Sequence, residues 1–169
     1  MTVPPPVATI HLDIADLGRI EAAGETAYPD ECCGLLIGHG FDDGGIEVVR
    51  VVMSENVEPG DRRTRFEIDP ALLIALRREL RGARDRIVGH YHSHPDHPAR
   101  PSAHDAKRAW QPEMVWLITS VIGGKAMETT AHVLEDGGGG FRRIGLEITG
   151  AVPGGSSSGS SSGSPAGNP

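Results

Sequence analysis

The sequence predicts one α/β domain, a mixed β-sheet flanked by helices. Three observations lead there. The chain has 169 residues, one domain's worth and long enough to bury a core. Alternating or continuous apolar runs of strand length outnumber helical ones, and the few helical segments are amphipathic, as helices laid over a sheet must be. A hydrophobic content of 38% and a charged content of 23% are those of a globular chain.

Taken in order, Ala8–Leu12 alternates as a short strand. Asp13 is placed to cap a helix that carries Ile14, Leu17, Gly24 and Ala27 along one face and stops before Pro29. Cys33–Ile37 is a continuous apolar run suited to a buried strand. Asp43-Gly44-Gly45 then turns the chain into the β-branched run Ile46–Met53. A loop with Pro59, Gly60 and three arginines leads to a brief strand at Phe66-Glu67-Ile68. Asp69-Pro70 supplies a cap and a first-turn proline for a helix with the apolar stripe Leu72, Leu73, Leu76, Leu80 and Ala83. Ile87–Tyr91 is a strand, and Met114–Ile122 and Ala126–Leu134 form a hairpin about Gly123-Gly124. Phe141–Ile148 alternates as a last, edge strand.

The flanks differ from this body. Residues 1–7 are an N-terminal extension with neither a basic nor an apolar stretch of signal-peptide type, residues 8–149 are the domain, and 150–169 are a flexible Gly/Ser/Pro-rich tail without charge. No run approaches eighteen apolar residues, so no membrane partner is expected. The formal charge of −7 argues against nucleic acid as a partner. Basic residues nevertheless gather between Arg77 and Arg108, eight against four acids, either as a solvated helix face or as a basic rim for an acidic protein. The only cysteines, Cys32 and Cys33, are adjacent, cannot make a disulfide framework, and read as small buried hydrophobes in a cytoplasmic protein.

The chemistry lies in His92-Ser93-His94, seven intervening residues, and Ser102-Ala103-His104-Asp105. In an extended chain the first and third residues share a face, so His92 and His94 converge. Pro95, Pro98 and Pro101 stiffen the loop that follows, and Asp105, one turn into a helix starting at Ser102, points back toward the helix start. Two imidazoles and a carboxylate suit one Zn2+ ion, and three protein ligands leave a fourth position open, the mark of a catalytic site. Zinc there acidifies water and polarises a scissile carbonyl. Glu31, in Asp30-Glu31-Cys32-Cys33-Gly34, is the candidate to carry the proton, and Ser102 to donate to a developing oxyanion. Ser102 and Asp105 also fit a plain helix capping box, and Glu31 a plain exposed acid before a strand. His11, His39 and His132 are read as structural or exposed. His90 lies deeper in the strand than His92, and His104 points away from the ion.

These segments, Glu31-Cys32-Cys33-Gly34-Leu35-Leu36, Gly89-His90-Tyr91-His92-Ser93-His94-Pro95 and Pro101-Ser102-Ala103-His104-Asp105, resemble the JAMM (MPN-plus) zinc metalloproteases. The likeness covers about residues 8–149, including Arg65–Pro70, and is strongest to the stand-alone bacterial branch, that of the CysO-cysteine peptidase. It implies a cytidine-deaminase-like fold, zinc held by His92, His94 and Asp105, and Glu31 as general acid/base. It also implies peptide or isopeptide hydrolysis at the C-terminal Gly-Gly of a ubiquitin-like or sulfur-carrier protein. The chain departs from the pattern at His90, where relatives often carry a bulky aromatic, and in its tail. Two other readings stay open: a non-catalytic zinc-containing module that binds a ubiquitin-like protein, and a zinc amidase for small molecules. A nucleobase deaminase is disfavoured because no Pro-Cys-x-x-Cys pair is present.

Overall fold

A computed structural model describes residues 5–109, 111 and 113–150. The tail assigned to 150–169 lies, apart from Gly150, outside the described residues, as do the first four residues of the N-terminal extension. The described elements are β1 (Thr9–Asp13), α1 (Ile14–Ala27), β2 (Cys33–Gly40), β3 (Gly45–Ser54), α2 (Pro70–Glu79), β4 (Arg86–Pro95), α3 (Ala103–Arg108), β5 (Val115–Ile122), β6 (Lys125–Leu134) and β7 (Phe141–Thr149). The mixed α/β class stands.

The caps read from sequence are made. The Asp13 carboxylate accepts from the Ala15 N–H at 2.8 Å, and the Asp69 carboxylate from the Ala71 N–H at 2.8 Å with Pro70 in the first turn. α1 buries Ile20, Ala23 and Gly24, with Leu17 and Ala27 packed partly beside them. α2 buries Leu76 and half-buries Leu72, Leu73 and Leu80, whereas Ala83 falls beyond the helix and is exposed. At the β5–β6 hairpin, Gly123 and Gly124 take φ of 56° and 82°, the left-handed pair that a two-residue turn with the right twist demands.

The strand order is β1-β3-β2-β4-β5-β6-β7, and the sheet closes because β7 returns to β1. This corrects the reading of Phe141–Ile148 as an edge strand. β7 pairs antiparallel with β6 and parallel with β1, setting Thr9 against Gly145 and Asp13 against Thr149. Parallel pairing of the first strand with the last leaves no local mark, since no turn joins them. The brief strand expected at Phe66–Ile68 also reduces to a single bridge, Asn56 to Ile68. The Glu67 N–H instead donates to the Asn56 side chain at 3.0 Å, so a side-chain amide stands in for a neighbouring strand.

Helices cover both faces. The main core packs α1 against Ile10, Leu12, Leu36, Val51, Tyr91 and Leu117. α2 seals a second core over Leu35 and Ile37 on the other face. A third cluster, Cys33, Phe66 and Trp116, sits beside that one, with Phe66 stacked on His92. Central strands are tightly interlocked: a methyl group at Gly34 would lie 2.3 Å from Tyr91 Cε1 and 2.4 Å from the Val52 carbonyl oxygen. The oxygen belongs to a paired strand and cannot yield. Gly34→Ala should therefore lower stability by about 2–3 kcal/mol, or about 5–10 °C in Tm, measured by thermal denaturation; an unchanged Tm would contradict this packing.

Candidate metal centre

β4 lies between β2, antiparallel to it, and β5, parallel to it. Its side chains alternate. Tyr91 enters the α1 core, while His90 and His92 lie among Phe66 and Trp116 on the opposite face. His94 follows His92 on that face, the two ring centroids 4.9 Å apart. The histidines belong to the strand itself, which runs through to Pro95. From there the chain turns at Asp96, whose φ of 56° is held by Tyr28 Oη and Gly123 N–H donating to its carboxylate at 2.8 and 2.9 Å. The loop then reaches Ser102 and α3.

α3 begins with a complete capping box. Ser102 Oγ accepts from the Asp105 N–H at 3.0 Å, and the Ser102 N–H donates to Asp105 Oδ2 at 2.7 Å. That reciprocal pair folds the Asp105 carboxylate back over the helix start, as read from sequence. It comes to rest 3.4 Å from His92 Nε2 and 3.3 Å from His94 Nε2, with the two Nε2 atoms 3.0 Å from each other.

His92, His94 and Asp105 are thus all buried, with one ligand atom of each within 4.8 Å of the others. The donor chemistry fits a dication. His94 Nδ1 lies 3.0 Å from the Pro98 carbonyl oxygen, which only accepts. Nδ1 therefore carries a proton, and Nε2 is the nitrogen left to meet an ion, the usual way a ligating imidazole is oriented from behind. Burial also holds His92 toward its neutral form, against the pull of Asp105. For Asp105, burial works upward but is outweighed by the two histidines and the Ser102 N–H, which hold the carboxyl well below the usual carboxylate range. An ionised carboxylate is what zinc ligation needs of Asp105, and a lowered pKa at His92 favours the form whose nitrogen can bind an ion.

Glu31 comes to the same end of the sheet. Register sets Cys33 opposite His92, and the ladder runs on one step through two bonds between Cys32 and Ser93: Cys32 N–H to Ser93 Oγ at 2.8 Å and Ser93 N–H to the Cys32 carbonyl at 3.1 Å. Glu31 is the next residue along, its N–H donating to the Arg62 carbonyl at 2.7 Å and its carbonyl accepting from Asn56 Nδ2 at 2.9 Å. It is not the exposed acid of the plainer reading, being only 5% exposed. Burial, reinforced by the Asp105 and Asp61 carboxylates and opposed by Arg108, pushes its carboxyl up to about 9.

The remaining histidines and the cysteines fall into place around this. His90 packs edge-on against Trp116 at 4.2 Å, and burial with the neighbouring His92 brings it down to about 3. His104 is not among the converging side chains. His132 Nε2 meets Thr130 Oγ1 at 2.9 Å and Thr130 in turn bonds the Ala99 carbonyl, so His132 braces the loop between the ligands. Cys32 and Cys33 are buried, their thiols pushed up by burial to about 11 and 12, as small hydrophobes. Sequence reasoning missed Phe66, stacked on His92 at 4.4 Å, and Asn56, whose amide ties Glu31, Arg65, Glu58 and Glu67 together. It also missed Arg108, one turn after Asp105, which donates to the Phe66 carbonyl. The aromatic in Arg65-Phe66-Glu67 was a usable signal; nothing local marked Asn56.

The model of prokaryotic homologues of the JAB domain matches residues 15–133, which include Glu31, both histidines and Asp105. The chain belongs to that family. This JAB-domain protein is 35% identical over 130 residues to a desampylase of Haloferax volcanii, the alignment covering 77% of this chain and 85% of the relative. A solved protein of Desulfitobacterium hafniense superposes with a TM-score of 0.71 at 27% identity, covering 85% of this chain and 95% of that one. One from Salinibacter ruber gives 0.62 at 34% identity, covering 84% and 91%. The JAMM resemblance carried by the three motifs is thus confirmed at the level of the family.

Two outcomes follow from the JAB-domain centre. His92→Ala and Asp105→Ala should each lose stoichiometric zinc in metal analysis after gel filtration; a full equivalent retained in either variant rejects that residue as a ligand. In metal-free protein, folded Glu31 holds a proton from about pH 4.5 up to about 9 that the unfolded chain releases, so it withdraws stability as pH rises through that window. Glu31→Gln should accordingly match the wild type in Tm near pH 4 and exceed it increasingly toward pH 9. Parallel Tm profiles would show that Glu31 is not buried as a neutral acid.

Proposed function

We propose that this chain is a zinc metallopeptidase of JAMM type. Its reaction is hydrolysis of the peptide or isopeptide bond at the C-terminal Gly-Gly of a ubiquitin-like or sulfur-carrier protein. The observation that carries this reading is the convergence of three buried donors at the strand end where a shielded glutamate also arrives. The family and the desampylase relative support the substrate class, since a desampylase acts on ubiquitin-like modifier conjugates. A diglycine end adds a physical reason, because without side chains it threads a narrow approach.

His92, His94 and Asp105 would hold one ion. When bound, zinc supplies Lewis acidity, lowering the pKa of water and polarising a carbonyl. The chain's own groups do the rest. Glu31 takes the proton of the attacking water on its carboxylate and returns it to the leaving amine nitrogen. Its buried setting favours the protonated form in the metal-free protein, and the charge of a bound dication would draw it back to the carboxylate that starts the cycle. Ser102 sits at the start of α3 with its Oγ lone pair committed to the Asp105 N–H, which leaves its hydroxyl proton for the carbonyl oxygen as that oxygen gains charge. The loop between Pro95 and Pro101, braced through Asp96 and Thr130, keeps these groups from drifting apart.

The catalytic domain is taken as residues 8–149, with 1–7 and 150–169 outside it, and the fold as cytidine-deaminase-like, as the family resemblance implies. No helix of the described residues is long and apolar enough to cross a membrane. With two free buried thiols, a cytoplasmic location suits the molecule. Glu31→Gln should retain zinc yet lose about 10²–10⁴-fold in kcat on a ubiquitin-like conjugate, read by intact mass of the released carrier. Near-normal turnover in a clean preparation would remove Glu31 from the proton-carrying role.

A further inference from the structure

A groove of about 710 Å³ opens on the sheet face that carries the metal centre, between α2 and the chain leaving α3. Its floor is apolar, formed by Leu35, Ile68, Leu73 and Trp116, and Ile74 on its wall is 52% exposed. Its inner end meets the centre directly: Phe66 lines the groove and stacks on His92, and Arg108 lines it from the helix that carries Asp105. Its rim is basic. Arg77, Arg86 and Arg108 line it against one acid, Glu67, in a chain whose net charge is −7. Two acids close to the rim in sequence are already engaged elsewhere, Glu79 with Arg50 at 2.9 Å and Asp85 with His39 at 2.8 Å, which leaves exposed Glu113 beside Met114 as a second acid near the arginines. Among the described residues none of the three rim arginines is in a salt bridge. Arg78, Arg81 and Arg84, all exposed, add to the same field.

We infer that this groove selects its substrate: it takes an acidic segment with interspersed apolar side chains, lying just upstream of the Gly-Gly end of the ubiquitin-like partner. Apolar side chains fill the floor, and carboxylates on the opposite face of an extended segment meet Arg77 and Arg86. Basic tails are rejected by the same guanidiniums, since like charges set against each other oppose docking. This rests on the peptidase reading for the identity of the partner, while the groove and its charge stand independently of turnover.

The test uses zinc-loaded full-length protein and two fluorescein-labelled hexapeptides, Asp-Leu-Glu-Leu-Gly-Gly and Lys-Leu-Lys-Leu-Gly-Gly, with binding read by anisotropy. The acidic peptide should bind roughly tenfold tighter at low ionic strength, with the gap narrowing as salt is added. Arg77→Glu with Arg86→Glu should abolish or reverse the preference, and Arg77→Lys with Arg86→Lys should keep it. Equal binding, no binding of either peptide, or a preference that survives charge reversal overturns the assignment. The wild-type comparison decides alone should the reversed variant fail to fold. Because binding is read without cleavage, an inactive enzyme that still discriminates separates failure of the peptidase reading from failure of the groove.

Discussion

The register that sets Cys33 against His92 is the constraint on which the rest depends. One strand step beyond it, Cys32 and Ser93 exchange two hydrogen bonds, and the next step brings Glu31, just before β2, alongside the end of β4 that carries His94. Strand alternation does the sorting. Tyr91 and Ser93 serve the fold, the first in the core and the second in the ladder, while His92 and His94 remain free for chemistry on the other face. A slip of one residue would send both imidazoles into the α1 core and leave a phenol and a hydroxyl beside Asp105. The floor of apolar residues on both faces of β2 makes that slip expensive, so packing far from the site protects its geometry.

Two buried carboxyls share this small volume and are driven apart. Asp105 has the two histidines beside it and the Ser102 N–H donating to it, and together they keep it ionised despite burial. Glu31 has no partners of comparable strength, feels the Asp105 charge, and is pushed to the neutral side. Opposite protonation states in neighbouring acids are how one site divides ligation from proton transfer, with environment rather than residue type assigning the roles. Arg108 moderates the division, since it counters the rise in Glu31 while anchoring Phe66 against His92.

Local signals in the chain were read well where they were local. The Asp13 and Asp69 caps, the Gly123-Gly124 turn and the His92/His94 face all depend on a few neighbouring residues and their spacing. Closure of the sheet was not legible, because β1 meets β7 across almost the whole chain with no turn to announce it. Phe66–Ile68 misled for a related reason: its composition suits a strand, but its pairing stops at one bridge and the Val57 N–H to the Glu67 carbonyl. The Glu67 N–H goes to the Asn56 side chain, and no pattern rule reserves a side chain for that task. Glu31 could be named from its motif but not its burial, which arises from Arg62 and Asn56 in a loop that crosses from elsewhere.

The capping box of Ser102 and Asp105 and the roles proposed for them fit one arrangement and do not compete. α3 has only six residues, far below the length at which a helix persists on its own. It is held by the reciprocal Ser102–Asp105 bonds at its start and by the Arg108 bond to Phe66 at its end. Those same contacts aim the carboxylate at the histidines and press the aromatic ring onto one of them. The helix is therefore organised by the same contacts that gather Asp105 with His92 and His94. A divalent ion gripped by Asp105 would tie down the first turn further, so metal binding and local folding of α3 draw on the same set of bonds.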